Sequence, residues 1–145
     1  MFSSPGSFGS RKTSATAYRD VGATTALDGA SPHKLVSLLY DALASELAAA
    51  RGAIQRGDVA EKGRAILHAV RIVDEGLNAP LDMEAGGSLA DNLRELYKYI
   101  LQRLTHANLR NDAAAISECA RLIDALRDGW DGIAEQAHAG APVAA

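Results

Sequence analysis

The residues with chemical potential are few and scattered. Histidine stands at positions 33, 68, 106 and 138, and the one cysteine is Cys119. Glu135 and His138 have the Glu-x-x-His spacing of di-iron bundles, which puts a carboxylate and an imidazole on one helix face. Such a centre needs that unit on two helices and two more inward carboxylates. No second unit is present, and this one borders an Ala/Gly/Pro-containing end, so no metal site is expected. His33, His68 and His106 have no partner at metal-ligand spacing and read as exposed or half-buried side chains. Cys119 has no second thiol to pair with, which suits a reducing compartment. It falls on an apolar stripe, where cysteine behaves as a small hydrophobe. A catalytic thiolate would need an electropositive, accessible setting. No Ser/His/Asp arrangement, phosphate-binding glycine loop or pair of inward carboxylates is visible. The expectation is a protein that is not an enzyme, with no catalytic residues and no cofactor.

Charge excludes a further class. Eighteen acidic residues against fifteen Lys and Arg give a net charge of −3. A protein that binds duplex needs clustered cations to displace counterions from phosphates. The pair Arg11-Lys12 in a Ser/Gly-rich stretch is too small for that, so nucleic acid is not an expected partner. No apolar run approaches a membrane span and no apolar leader opens the chain.

The elements that would position these side chains are helices. A chain of 145 residues is one domain's worth, and only 5% of it is aromatic while Ala is plentiful. That favours helices packed through small and aliphatic side chains over a sandwich. Residues 1–30 are rich in Ser, Gly, Ala and Thr and read as a flexible segment. Helix one opens at Ser31-Pro32, a hydroxyl cap followed by a residue with no N–H to orphan. Its stripe is Val36, Leu39, Tyr40, Leu43, Leu47, Ala50 and Ile54, and it stops near Gly57. Helix two opens at Asp58 with Glu61 at capping-box spacing and carries Val59, Ile66, Val70, Val73 and Leu77. Gly76 and Pro80 weaken its end. Helix three opens after Gly86-Gly87 at Ser88, with Leu89, Leu93, Leu96, Ile100, Leu104 and Ala107. Helix four opens at Asn111-Asp112, with Cys119, Leu122, Ile123, Leu126, Trp130 and Ile133.

The reading is all-α: an antiparallel up-down-up-down four-helix bundle over 31–138, with helices near 32–56, 59–79, 89–110 and 112–137, flexible N- and C-terminal tails, and residues 139–145 as the latter. Short connections make neighbours antiparallel, and no strand signal competes. Histidine phosphotransfer domains are also four-helix bundles, with an exposed His and a nearby cation. His68 has Arg71 three residues on. Those domains usually carry Lys-Gly directly after the His-x-x unit; here Arg71-Ile72 follows, and Ile72 would crowd an approaching phosphate.

Apolar surface exceeds what one stripe needs. Leu35, Leu38, Ala42, Ala49 and Ala53 form a second arc on helix one, widening its apolar face to about half the circumference where about 100° suffices for a surface helix. Tyr97 and Leu101 lie beside the main stripe of helix three in the same way. Bundle helices that touch two neighbours need wide stripes; a groove for an amphipathic partner helix needs them too. The pattern leaves both readings open.

An ordered set of short runs resembles the FliS family of flagellar export chaperones. It begins with Ser31-Pro32, Lys34-Leu35-Val36 and Leu39-Tyr40-Asp41, and continues through Gly57-Asp58, Ile72-Val73, Leu81-Asp82 and Gly86-Gly87. Asn92-Leu93, Leu96-Tyr97-Lys98-Tyr99, Arg103-Leu104, Ala107-Asn108 and Leu126-Arg127 follow, with Trp130 at the close. The resemblance implies a four-helix bundle that binds the C-terminal region of flagellin in the cytoplasm, prevents premature polymerisation and delivers it to the flagellar export apparatus. It implies a flagellin-binding groove, expected at Tyr18, Leu35, Leu38, Tyr97 and Leu101. Tyr18 matches a tyrosine that lies over the empty groove in the family, though it stands several residues farther from Pro32 than is usual. Ala42 stands where the family often has Gly. Export gate components or a competing regulator are further partners the resemblance suggests, and a homodimer would also cover exposed apolar surface.

Overall fold

The computed structural model describes residues 31–81 and 83–144, and of 83–85 and 134–144 the backbone alone. The described residues divide between Leu35 and Val36 into two units. In the first, Ser31 caps the opening turn of α1 (Pro32–Arg56): its hydroxyl accepts from the Lys34 N–H at 3.1 Å and its carbonyl from the Leu35 N–H at 3.0 Å. Three more elements follow: α2 (Val59–Arg71), which runs directly into a π-helical segment (Ile72–Asn78), then α3 (Met83–Arg110) and α4 (Ala113–Ala144). No strand occurs among the described residues.

Two turns of the same construction join the helices in pairs. At the end of α1, Gly57 adopts a left-handed φ of 71°. The Asp58 N–H donates back to the Ala53 carbonyl at 2.9 Å and the Gly57 N–H to Ile54 at 3.2 Å, which satisfies the last carbonyls of the helix. Asp58 then caps α2 through Oδ1, which accepts from the Glu61 N–H at 3.1 Å. At the end of α3, Asn111 takes φ of 53° and the Asp112 N–H donates to the Ala107 carbonyl at 3.2 Å. Asp112 Oδ1 caps α4 through the Ala115 N–H at 3.2 Å. Each turn spends one residue on reversing the chain and the next on starting a helix.

Side-chain bonds set the helix directions. Between α1 and α4, Ser37 meets Asp131 (3.3 Å), Asp41 meets Arg127 (3.2 Å) and Arg51 meets Ser117 (3.5 Å). One number rises as the other falls, so these helices are antiparallel. Glu46 of α1 meets Arg64 and His68 of α2, and Arg103 of α3 meets Glu118 of α4 at 2.8 Å. The core between them is built from Leu43 and Leu47 of α1, Ile66 and Ala69 of α2, Ile72 and Val73 of the π segment, Ile100 and Leu104 of α3, and Ile116, Cys119 and Ile123 of α4. Alanines at 50, 65, 69, 107 and 115 are fully buried, and small side chains at such positions let helix backbones approach closely.

The stripes are corrected at several points. Val59, Leu89 and Ile133, expected in the core, are largely exposed. Val59 is the first residue of α2 and Leu89 lies two residues past a backbone break at Gly87 (φ 55°, ψ −135°), so both precede the region where all four helices meet. Ala53, assigned to the second arc, is fully buried. Tyr97, expected beside the stripe of α3, is 2% exposed and belongs to the core. Where a single helix over 59–79 was expected, the helix widens at Ile72. The Ala79 N–H donates to the Asp74 carbonyl, five residues back, at 2.9 Å. Pro80 has no N–H with which to continue the ladder, and the Leu81 N–H closes the turn on Asn78 at 3.1 Å.

Candidate functional site

The groups that could do chemistry are tied into the fold. Cys119 is buried with Sγ 4.0 Å from the Ile100 carbonyl, and burial pushes its thiol up to about 12, far from a reactive thiolate. His106 Nε2 lies 3.1 Å from Asp112 Oδ2. His68 is bonded through Nδ1 to Glu46, and Arg64 grips the same carboxylate with both terminal nitrogens at 2.9 and 3.1 Å. Burial works against the Glu46 carboxylate, but its bonds to Arg64 and His68 outweigh it and hold its pKa below the usual range. His68 thus joins a structural ion network between α1 and α2. Among the described residues no group of three His, Cys, Asp or Glu could hold a metal; the side chains of Glu135 and His138 lie outside them.

The expected groove residues meet different fates. Tyr18 lies outside the described residues. Leu35 is 37% exposed in the first unit. Leu38 is half-buried on α1 and Leu101 half-buried on α3. Tyr97 Oη lies 2.7 Å from Tyr40 Oη inside the core, so it would reach a partner only if the core opened. Leu101 lines a surface cleft of about 570 Å³ with Asn78, Arg94, Glu95, Lys98, Gln102 and Thr105. No residue of α1 lines this cleft, so Leu38 and Leu101 do not share it.

Sequence reasoning missed residues at the cleft and others exposed elsewhere on the helices. Asn78, Arg94 and Lys98 border the cleft. Val59 and Leu67 on α2 and Leu109 on α3 leave large aliphatic side chains in solvent, Leu109 with 76% of its surface exposed. Leu67 and Leu109 were legible as apolar residues off the stripe; Asn78 carried no such signal.

His68, His106 and Cys119 are held by contacts within the bundle, while its outer faces carry exposed aliphatic side chains and an open cleft, the kind of surface by which a helical bundle binds another protein. Among the described residues no helix is long and apolar enough to cross a membrane. The family model described as "Flagellar protein FliS" matches residues 14–137. The chain is 46% identical over 121 residues to the flagellar secretion chaperone FliS of Salmonella typhimurium, covering 83% of this chain and 90% of that protein. It is 41% identical over 116 residues to the flagellar secretion chaperone FliSB of Pseudomonas aeruginosa (80% and 91% covered), and 29% identical over 115 residues to the Bacillus subtilis FliS (79% and 81% covered). The chain belongs to the FliS family.

Proposed function

We propose that this protein is a cytoplasmic export chaperone that holds the C-terminal region of flagellin, keeps it from polymerising and passes it to the flagellar export apparatus. The observation that carries the reading is the set of large apolar side chains left in solvent along α2 and α3, with the cleft at Leu101 between its charged neighbours. In a chain related to flagellar secretion chaperones, such surface suits an amphipathic segment that is unstructured when free and helical when held. Binding then couples folding to burial: the apolar area covered must exceed the entropy of ordering the segment. Leu38 and Leu101 are proposed contacts, as are Tyr18 and Leu35 on the sequence pattern alone. Tyr97 acts from beneath by bracing α3. Export gate components, a competing regulator or a second copy of the chain would draw on the same exposed aliphatic residues.

Calorimetric titration with the last 40 or so residues of the organism's own flagellin, a length set roughly by the size of a coupled-folding interface, tests the reading. Micromolar or tighter binding is expected, with a negative heat-capacity change and a gain of helix by circular dichroism. A folded protein that does not bind the peptide refutes it, and the remaining reading is a bundle for another helical partner.

A further inference from the structure

We infer that the groove between α1 and α4 docks a second protein partner through one face of an α-helix, and that this face presents a carboxylate to Arg51 and Arg121 with small or aliphatic side chains beside it. The site is separate from the surface proposed for flagellin and does not depend on that reading.

Leu47 of α1 and Ile116 of α4, both buried, line this groove of about 280 Å³ together with Ala44, Ala48 and Ala120. Alanine at three positions leaves the seam unfilled where larger side chains would close it. How near two helices come is set by the side chains at their contact, so a third helix can approach closely here. The rest of the lining is polar: Arg51, Ser117, Arg121 and Asp124.

The charge balance selects the partner. Asp124 Oδ1 is taken by Arg127 at 3.1 Å, and Arg127 holds Asp41 with its other terminal nitrogen. Glu118, the nearest acidic residue before Arg121 on α4, is taken by Tyr99 and Arg103. Arg121 is exposed and has no hydrogen bond or ion pair among the described residues; it acts on Glu118 only at a distance. Arg51 reaches across the groove to Ser117 Oγ at 3.5 Å, a bond too long to be strong. Ser117 and Arg121 stand one helical turn apart, so both arginines border one stretch of the groove. Arginine favours a carboxylate, which it can grip with two parallel bonds. A Lys or Arg on the partner would meet like charge. The apolar part of the lining suits a protein helix and has no counterpart in a phosphate backbone.

The groove also stays open when the other side of the bundle is occupied. α1 bonds to α2 and to α4, and α3 bonds to α4 and to α2. The helices therefore follow one another around the core, and the α1–α4 seam lies opposite the side of α2 and α3.

The test uses the full chain and a designed helical peptide of about five turns, one face of which carries Ala, Leu and a single Glu. A twin peptide has Gln in place of that Glu. Titration followed by methyl NMR should move the signals of Ala44, Ala48 and Ala120. The Gln twin should bind about tenfold more weakly, the size of one charge-assisted bond. Arg51→Gln and Arg121→Gln should each weaken the Glu peptide about tenfold and leave the Gln twin unchanged. Saturation with the flagellin C-terminal peptide should not displace the Glu peptide. Unmoved alanine methyls, equal binding of the two peptides, or displacement by flagellin overturns the inference. A chain that binds the Glu peptide in the groove and no flagellin peptide supports the inference while refuting the flagellin reading. Should either arginine variant not fold, the peptide pair on the parent decides alone.

Discussion

Tyr40 of α1 and Tyr97 of α3 meet hydroxyl to hydroxyl, 2.7 Å apart, in the interior of the bundle. Burial raises the pKa of both phenols, so the pair is neutral and one hydroxyl donates to the other. Both side chains reach inward across the core to make this bond.

Removing one hydroxyl strands the other. Tyr40→Phe or Tyr97→Phe should each lower stability by about 1–3 kcal/mol, the cost of a buried polar group left without its partner. The double variant should lie closer to the parent than the two losses added together predict. Urea denaturation of all four proteins measures this coupling directly; strictly additive losses would show that the bond contributes nothing specific.

Lys62 is the one buried charged residue among those described, with 8% of its surface exposed. Its Nζ donates to the Asn108 carbonyl at 2.9 Å and to Asn111 Oδ1 at 2.6 Å. It therefore places a cation on the C-terminal carbonyls of α3, where the helix dipole favours it. Lys62→Met keeps the stem and loses both bonds. It should cost about 1.5–3 kcal/mol, seen in thermal and chemical melts, with amide exchange accelerated first around residues 107–112.

Acid should weaken the contact between α1 and α2. The Glu46 carboxylate has a folded pKa below its unfolded value. Its contribution is therefore fully present above the ordinary carboxylate range and is lost as pH falls through the lowered value, because the unfolded chain takes up the proton first. Glu118 is shifted the same way, chiefly by Tyr99 and then Arg103. Between pH 7 and pH 3 the parent should lose more stability than Glu46→Gln does; equal losses would remove Glu46 from the account.

Cys119 should be silent to thiol reagents in the folded protein. Its buried thiol, with pKa pushed up to about 12, offers almost no thiolate at pH 8. Labelling with a maleimide should proceed only through unfolding, and so speed up with urea. Prompt labelling of the native chain would contradict the burial of α4 against α3.

Glycine at the start of α3 is a conformational requirement. Gly87 has φ of 55° and ψ of −135°, and a Cβ on Gly86 would stand 2.6 Å from that of Ala90. Gly87→Ala should cost more than about 1 kcal/mol through backbone strain. Gly86→Ala should shift the opening of α3, visible as chemical-shift changes around Ala90.

What was legible in the sequence was local. The caps at Ser31, Asp58 and Asp112 and the reversals at Gly57 and Asn111 depend on neighbours within five residues, and each was readable from residue type. Tyr97 was not readable as core, because a helical wheel shows which face is apolar but not which neighbour covers it; its partner Tyr40 lies 57 residues away. Lys62 sits at core spacing with Ile66 and Ala69, a register that could have flagged it, yet its charge argued for solvent until Asn108 and Asn111 came into view. Of the candidate surface, Leu101 showed itself as an apolar residue off the stripe. Asn78 did not, because bordering a cleft is a property of three-dimensional surroundings.

The twin turns at Gly57-Asp58 and Asn111-Asp112 make the molecule two closed hairpins, each able to form from contacts near in sequence. Between them run the joins that cross the whole chain: Tyr40 to Tyr97, Lys62 to Asn108, Asp41 to Arg127. The bundle is thus closed by bonds between residues 46 to 86 positions apart, which can form only once distant parts of the chain have met.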